Sequence, residues 1–147
     1  MVSFRGTFDH TLDAKNRLTV PVRYRAALAE GVVLAIPLDQ RPCVAVWRPE
    51  DYQRFSERAL EELPPLSPKL GELERFFYGA SQEVELDAAG RIMISGRMLE
   101  HAQLDREVVV VGAGSRLEMW DRERWIAHQP SLLEAIAEIT ASADESA

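Results

Sequence analysis

Cysteine is almost absent from the chain of 147 residues, which contains only Cys43. A single cysteine excludes an internal disulfide, and it cannot form a cysteine-ligated zinc site. Long hydrophobic runs are missing as well, because the longest stretch without a formal charge, Trp125–Leu133, has nine residues. A membrane-spanning helix needs about 20 apolar residues, so we expect none. The first residues, MVSFRGTFDH, lack the basic and apolar segments of a signal peptide, which predicts a cytoplasmic protein.

Residues that carry out catalysis are equally sparse. The three histidines, His10, His101 and His128, fall on different predicted elements, and the sequence shows no nucleophile–base pair. We therefore predict that the protein is not an enzyme and has no metal site and no cofactor. Cys43 lies in an apolar run typical of a strand, which favours a buried side chain. Gly112-Ala113-Gly114 predicts a hairpin turn, because the rest of a phosphate-binding fingerprint is missing.

Lysine is rare too, since the 17 basic residues include only 2 lysines. The 24 acidic residues give a net charge of −7, which by itself disfavours nucleic-acid binding. The charges are unevenly spread, however, because residues 1–25 carry a net charge of +3 and the other 122 residues carry −10. A whole-chain charge therefore does not decide the charge of one surface. The basic residues of this N-terminal excess of positive charge are Arg5, Lys15, Arg17, Arg23 and Arg25.

Two five-residue motifs occur 74 positions apart, Asp13-Ala14-Lys15-Asn16-Arg17 and Asp87-Ala88-Ala89-Gly90-Arg91. Each is followed by an alternating apolar run and then by a helix-start signal, Pro21 in the first half and Ser95 in the second. A short helix and two strands follow in the same order, which indicates an internal duplication. These elements are predicted at Val22–Leu28, Val32–Ile36 and Cys43–Trp47, and at Arg97–Ala102, Val108–Val111 and Leu117–Trp120.

The two halves are expected to share one core, because about 45 residues cannot bury their own faces well. The predicted fold is α+β, a β-barrel of two pseudo-symmetric halves with peripheral helices. One helix is expected to reach Leu63, a second to span Lys69–Tyr78, and a third to span Arg122–Ile139, where Pro130 kinks or restarts it. Thr140–Ala147 is predicted to be frayed. The predicted divisions are a first half at 7–54, a helical connector at 55–82, a second half at 83–126, and a C-terminal helix and tail at 127–147.

The paired motifs also carry a resemblance to a known family. With Phe4-Arg5-Gly6 and Tyr24-Arg25 in the first half, and with Glu118–Asp121 and Trp125 in the second, the chain resembles the MraZ family. That family belongs to the wider group of AbrB-like, double swapped-hairpin barrel proteins that bind DNA. The sequence departs from the family at Asn16, where glycine is usual. Asparagine is the residue next most tolerant of a positive φ, so the turn is still expected.

The resemblance implies a sequence-specific DNA-binding transcriptional regulator. It implies a repressor of the cell-division and cell-wall gene cluster that binds direct repeats of double-stranded DNA upstream of its own operon. It further implies a homo-oligomeric ring, association with the nucleoid and DNA contacts from both motifs. The DNA-binding candidates are Lys15, Arg17 and Arg91 from the motifs and Arg5, Arg23 and Arg25 from the N-terminal excess; the turn-forming residues are Asp13, Asn16, Asp87 and Gly90.

Two alternatives stay open at this point. Each motif could be an internal salt-bridged turn with no ligand, because an aspartate can accept backbone N–H bonds and bind a neighbouring arginine. The protein could instead be a ring-forming scaffold that holds or inhibits a partner enzyme. The acidic helical face of Glu57, Glu61, Glu62, Glu72 and Glu74 is either a solvated surface or a ring interface that pairs with arginines of a neighbouring copy. The tryptophans Trp47, Trp120 and Trp125 are expected to anchor the core and interfaces rather than stack on bases.

Overall fold

The computed structural model describes residues 2–146, which form a mixed α+β structure. Its strands are short, and most are separated by turns or short helices. The strands are β1 (Thr7–Thr11), β2 (Arg17–Thr19), β3 (Val32–Ala35), β4 (Cys43–Trp47), β5 (Gln82–Val84), β6 (Arg91–Met93), β7 (Glu107–Gly112) and β8 (Leu117–Asp121). The helices are α1 (Val22–Arg25), α2 (Pro49–Glu61), α3 (Pro68–Glu74), α4 (Gly96–Ala102) and α5 (Arg122–Ser146), with a π-helical turn at Arg75–Gly79.

Within residues 2–146 the strands form two sheets, and every pairing is antiparallel. Six strands form one sheet in the order β1-β7-β8-β4-β3-β5. The other two, β2 and β6, form a separate two-stranded sheet that we call the ribbon. No ladder between β1 and β5 closes the larger sheet in the described part of the chain. The α+β class is confirmed, and the closed barrel stays a prediction.

Strands of the first half pair with strands of the second. β1 pairs with β7, with Phe8 opposite Val110, and β5 pairs with β3, with Gln82 opposite Leu34. In the ribbon Leu18 lies opposite Ile92, which is its equivalent 74 positions later. The centre of the ribbon therefore lies on the pseudo-two-fold axis. Each half gives its first strand to the other, so neither half can form these ladders alone.

One hydrophobic cluster joins the ribbon to the inner face of the larger sheet. Leu18 and Ile92 from the ribbon are buried with Leu34 from β3, Val44 from β4 and Val110 from β7. Because side chains alternate along a strand, the next residues face the opposite side. There the helices cover them, so that β3 and β4 are buried along their whole length. The residues covered in this way form two separate clusters. One contains Val33, Ala35, Ala45, Trp47, Tyr52 and Phe77, and the other contains Cys43, Val109, Trp120 and Trp125.

The predicted elements are close to the observed ones. The strand predicted at Cys43–Trp47 has these bounds, and Ala113 lies in the predicted hairpin turn between β7 and β8. The predicted helix Val22–Leu28 was too long, because α1 ends at Arg25 and the chain continues as a turn. The predicted helix 69–78 is instead α3 followed by the π-helical turn, which buries Phe77. There the hydroxyl of Tyr52 donates to the Phe77 carbonyl at 2.9 Å.

The last helix differs most from its prediction. α5 runs continuously from Arg122 to Ser146 with Pro130 inside it, so the predicted restart and the predicted fraying from Thr140 to Ser146 are wrong. Proline has no N–H, and the carbonyl four residues earlier, that of Ile126, loses its helical partner. Pro130 and Ile126 are both exposed, so water can satisfy that carbonyl. Ala147 lies outside the described residues.

None of the helices described is both long enough and apolar enough to cross a membrane.

Candidate nucleic-acid interface

The first motif forms a closed turn around the carboxylate of Asp13. Oδ1 of Asp13 accepts the backbone N–H groups of Lys15 and Arg17, both at 2.9 Å. Oδ2 accepts Nε of Arg17 at 2.7 Å. The backbone N–H of Asn16 also donates to the Asp13 carbonyl at 3.0 Å. One aspartate therefore both closes the turn and fixes the direction of the arginine that follows it.

The second motif repeats this geometry. Oδ1 of Asp87 accepts the backbone N–H groups of Ala89 and Arg91, both at 2.9 Å, and Oδ2 accepts Nε of Arg91 at 2.8 Å. The arginine side chains are 24% exposed for Arg17 and 33% exposed for Arg91. Among residues 2–146, no hydrogen bond or ion pair engages the Nη groups of either arginine. Both guanidinium groups are thus held at Nε and can bind a ligand through Nη1 and Nη2.

The carboxylates that hold the arginines are stabilised in the charged form. The backbone N–H of Arg17 is the main group that lowers the pKa of Asp13 below its usual value; desolvation opposes it, and the Arg17 guanidinium and the backbone N–H of Lys15 lower the pKa further. The backbone N–H and guanidinium of Arg91 lower the pKa of Asp87 in the same way. Hydrogen bonds to a carboxylate favour its ionised form. Both carboxylates are therefore charged at neutral pH. We call each pair of aspartate and arginine, Asp13 with Arg17 and Asp87 with Arg91, a clamp.

The fourth residue of each motif has the left-handed backbone that the turn requires, with φ of 58° at Asn16 and 76° at Gly90. Asparagine thus adopts in the first turn the positive φ that glycine adopts in the second. Each turn also accepts a backbone hydrogen bond from the other half of the chain. The Gly90 carbonyl accepts the N–H of Val20 at 2.9 Å, and the Asn16 carbonyl accepts the N–H of Ile94 at 2.9 Å. Each turn is thereby fixed to the strand end of the opposite half.

The ribbon brings the two arginines onto one solvent-facing surface. Leu18 and Ile92 point into the core, so their neighbours along each strand point outward. Arg17 lies opposite Met93, and Arg91 lies opposite Thr19. The two arginines are then diagonal neighbours on the ribbon, a relationship that typically spans about 7–8 Å. We call this surface of Arg17, Thr19, Arg91 and Met93 the ribbon face.

Arg25, from α1, lies against the second turn. Its Nε donates to the carbonyl of Val20 at 3.0 Å. Its side chain also fills the space above Gly90, where an added Cβ would lie 2.4 Å from Arg25 Nε. The corresponding position in the second half is Leu99, so the first turn has no equivalent arginine. The second turn, which lacks a counterpart of Lys15 at Ala89, receives a basic side chain from α1 instead.

The other basic candidates have different surroundings. Lys15 is exposed at the tip of the first turn. Arg23 is exposed on α1, with its guanidinium carbon 5.7 Å from the ring centres of both Phe8 and Tyr24. The backbone N–H of Arg5 donates to the hydroxyl of Tyr24 at 3.0 Å, while the Arg5 side chain is exposed. The structure thus brings Lys15 and Arg25 to the turns, whereas among residues 2–146 no hydrogen bond or ion pair joins Arg5 or Arg23 to either turn.

One further basic residue was not among the sequence candidates. Arg97 is exposed at the start of α4, which follows Ile94 and its hydrogen bond to the first turn. It lies 74 positions after Arg23 and is its equivalent in the repeat. The repeat offset of 74 is the signal in the sequence that identifies it, although it lies outside the N-terminal excess of positive charge.

The remaining chemical candidates belong to the packing. Cys43 is fully buried, and this burial raises the pKa of its thiol. Trp47 packs against Tyr52 of α2, and Trp120 of β8 packs against Trp125 of α5; all three are buried, in agreement with their predicted role in the core. No group of three or more histidine, cysteine or acidic side chains suitable for a metal ion occurs in the described part of the chain. His128 stacks on the Trp120 ring with centres 4.8 Å apart.

The fold and this surface define a class of protein: an α+β chain of two interlocked, similar halves, each presenting an arginine clamped by an aspartate. The family model described as "MraZ protein, putative antitoxin-like" matches residues 3–65 and 76–145. The chain belongs to the MraZ family.

Curated relatives cover most of the chain. A protein of Heliobacterium modesticaldum is 39% identical over 83% of this chain and 83% of its own length. A protein of Lachnoclostridium phytofermentans is 36% identical over 92% of this chain and 93% of its own. A third, from Hydrogenovibrio crunogenus, is 34% identical over 92% of this chain and 90% of its own. All three are named "Transcriptional regulator MraZ", a name that denotes a regulator and not an enzyme.

Proposed function

We propose that this protein is a regulator of transcription that binds double-stranded DNA in a sequence-specific manner through the ribbon face and the two turns beside it. The observation that carries the proposal is the pair of matching clamps, Asp13–Arg17 at 2.7 Å and Asp87–Arg91 at 2.8 Å. A clamp that fixes Nε and leaves both Nη groups open presents a planar fork to a ligand. Such a fork suits the O6 and N7 atoms of guanine and the oxygens of phosphate.

The dimensions of the ribbon suit the DNA major groove. That groove is about 12 Å wide and admits a two-stranded β-ribbon. The strands of such a ribbon lie about 4.7–4.9 Å apart, and diagonal side chains about 7–8 Å apart, so both arginines fit within one groove. The clamps also limit the entropy lost on binding, because the arginines are already oriented.

The surrounding bases supply the phosphate contacts in this proposal. Lys15 at the first turn and Arg25 at the second carry positive charge to both edges of the ribbon face, and Arg5 and Arg23 add to it. Each phosphate contact releases close to one counterion, so binding is expected to weaken steeply with salt. Because the chain as a whole carries a net charge of −7, the rest of its surface is expected to repel DNA, so that DNA binds only at the ribbon face and the bases beside it.

The wider setting follows the family resemblance. We propose that the protein represses a cell-division and cell-wall gene cluster by binding direct repeats upstream of its own operon, as a cytoplasmic, nucleoid-associated protein. In this proposal the fold is a double swapped-hairpin barrel divided at 7–54, 55–82, 83–126 and 127–147. Copies form a closed ring, and head-to-tail contacts give every copy the same direction along the duplex. Several weak contacts then act together through avidity.

The test is a binding titration against DNA from the region upstream of the gene, with unrelated DNA for comparison, at two salt concentrations. We expect salt-dependent and sequence-specific binding by the wild-type protein. Arg17→Ala with Arg91→Ala should lose at least about 30-fold in affinity, because each specific arginine contact contributes roughly 1–3 kcal/mol. Arg58→Ala on α2 removes an exposed arginine outside the ribbon face and is the matched control. Wild-type affinity and salt dependence in the double variant would contradict the proposal.

One observation favours a second function, that of a protein-interaction scaffold that holds or inhibits a partner enzyme. α5 exposes Ile126, Leu133, Ile136 and Ile139, which are 52% to 70% exposed in the chain described. Such residues usually meet another protein surface. Leu133→Asp with Ile136→Asp should reduce self-association in sedimentation experiments if copies meet there. Unchanged self-association together with no specific DNA binding by the wild type would favour the scaffold with another protein as partner.

A further inference from the structure

The ribbon face is symmetric in charge but not in its apolar residue. Arg17 and Arg91 are equivalent in the repeat, and each is clamped by its own aspartate. The other two positions are also equivalent to each other, yet one holds Thr19 and the other holds Met93. Because of the register, Met93 lies opposite Arg17 and Thr19 lies opposite Arg91. The two ends of the face therefore differ: one pairs an arginine with a long apolar chain, the other with a short hydroxyl.

The exposure of Met93 has no explanation in the packing. Its side chain is 55% exposed, whereas its neighbours Ile92 and Ile94 are buried. It belongs to none of the hydrophobic clusters of the described chain. A flexible thioether chain adapts well to an apolar partner that arrives later. Its place beside a clamped arginine indicates that the partner lies where the arginine's ligand lies.

In a major groove, one apolar group is available next to the polar base edges: the 5-methyl group of thymine. Cross-strand side chains on a ribbon have Cβ atoms about 4.5–5.5 Å apart. Successive base pairs are separated by about 3.4 Å along the helix. Two long side chains at that spacing can therefore reach adjacent base pairs, one through a guanidinium fork and one through a methyl contact.

We infer that Met93 is a specificity-determining residue that contacts a thymine methyl group next to the guanine contacted by Arg17, and that it gives the ribbon face a direction on DNA. The inference rests on the proposed function. A pseudo-symmetric face with two identical ends would bind in either orientation with equal affinity. A thymine contact at one end favours one orientation, which suits sites repeated in the same direction.

The experiment replaces thymine by uracil, one position at a time, in DNA from the upstream region. This exchange removes only the 5-methyl group. With wild-type protein, we expect uracil to weaken binding about three- to fivefold at one thymine in each bound site, since one buried methyl group contributes about that much. Met93→Ala should bind thymine and uracil DNA equally at that position. Leu66→Ala, which shortens an apolar side chain that is 96% exposed between α2 and α3, should keep the wild-type preference.

The outcomes separate the inference from the proposed function. Specific wild-type binding with no sensitivity to uracil would overturn the inference and leave the proposed function standing. A uracil effect of equal size in the wild type and in Met93→Ala would also overturn it, because another residue would then contact the methyl group. No specific binding by the wild type would overturn the proposed function itself. Thermal unfolding of each variant shows whether the fold is intact.

Discussion

The side chain of Arg25 occupies the space into which a side chain at Gly90 would project. An added Cβ at Gly90 would lie 2.4 Å from Nε, 2.7 Å from Cδ and 2.8 Å from Cζ of Arg25. The two residues belong to different halves, and Arg25 is also bound to the carbonyl of Val20 at 3.0 Å. Arg25 thus joins α1, the end of the first ribbon strand and the second turn.

A side chain at Gly90 is therefore expected to destabilise the protein. Gly90→Ala should reduce the free energy of unfolding by about 1–2 kcal/mol, because alanine is strained at the positive φ of this position. The loss should be larger than this, because the Arg25 side chain must also move to make room for the new methyl group. Denaturant unfolding measures the loss. Asn16→Gly at the equivalent position is the control and should be neutral or mildly stabilising, since glycine adopts a positive φ without steric cost. Adding Arg25→Ala to Gly90→Ala should recover only the part of the unfolding free energy that is lost to the contact with the Arg25 side chain. Equal stability of Gly90→Ala and the wild type would show that the turn tolerates a side chain.

The carboxylates of the clamps should contribute to acid sensitivity. The pKa values of Asp13 and Asp87 in the folded protein are lowered from their usual value of 3.8. A carboxylate with a lowered pKa stabilises the fold above about pH 4 and loses this contribution as the pH falls through its folded-state pKa. In the variant Asp13→Asn with Asp87→Asn, the unfolding free energy should therefore fall less steeply than in the wild type as the pH is lowered below about pH 4. The readout is denaturant unfolding between pH 7 and pH 2, and a decline as steep as that of the wild type would exclude this contribution.

The same substitutions separate positive charge from positioning at the candidate interface. Asp13→Asn with Asp87→Asn raises the net charge by two, so affinity for unrelated DNA should rise or stay constant. The arginines lose the acceptor that directs Nε, so the ratio of specific to non-specific affinity should fall, by about tenfold if one contact is lost. Competition titrations with upstream and unrelated DNA measure this ratio. An equal rise in affinity for upstream and for unrelated DNA would mean that the clamps do not position the arginines.

The centre of the ribbon should be sensitive to loss of volume. Leu18 is 1% exposed and Ile92 is 0% exposed, and they lie opposite each other on the pseudo-two-fold axis. Leu18→Ala or Ile92→Ala should each cost about 2–5 kcal/mol of unfolding free energy. The double variant should deviate from additivity, because the residues are direct neighbours. Thr19→Ala, an exposed position on the same ribbon, serves as the control. A cost below about 1 kcal/mol at both core positions would contradict the packing described.

Proline inside α5 should weaken the second part of that helix. Pro130→Ala restores an N–H that can donate to the carbonyl of Ile126, and proline is about 3 kcal/mol less favourable than alanine within a helix. We expect slower amide hydrogen exchange in residues 131–143 and little change in the two sheets. Gln129→Ala, the preceding exposed position, is a suitable control. Equal exchange in Pro130→Ala and the wild type would show that water or a neighbouring group already compensates for the missing bond.

Local patterns in the sequence were sufficient to predict several parts of the structure. The Asp-to-Arg spacing of the motifs predicted closed turns, because an aspartate can accept nearby backbone N–H groups without help from the rest of the fold. The apolar runs predicted the strand at Cys43–Trp47 within its bounds. Pro21 and Ser95 predicted where α1 and α4 begin. The continuity of α5 through Pro130 was missed, because a local rule about proline did not include the exposure that lets water satisfy the freed carbonyl.

The sequence by itself determined the two turns, the order of the elements and the symmetry between the halves, since these depend on neighbours within a few residues. Only the tertiary structure decided that β1 pairs with β7 and β5 with β3, that Arg25 lies over Gly90, and that Met93 lies opposite Arg17. These relationships join residues far apart in the chain. They depend on strand register, where a shift by one residue would turn every side chain to the other face. No local pattern contains that information, so the composition of the ribbon face became visible only after the halves had been paired.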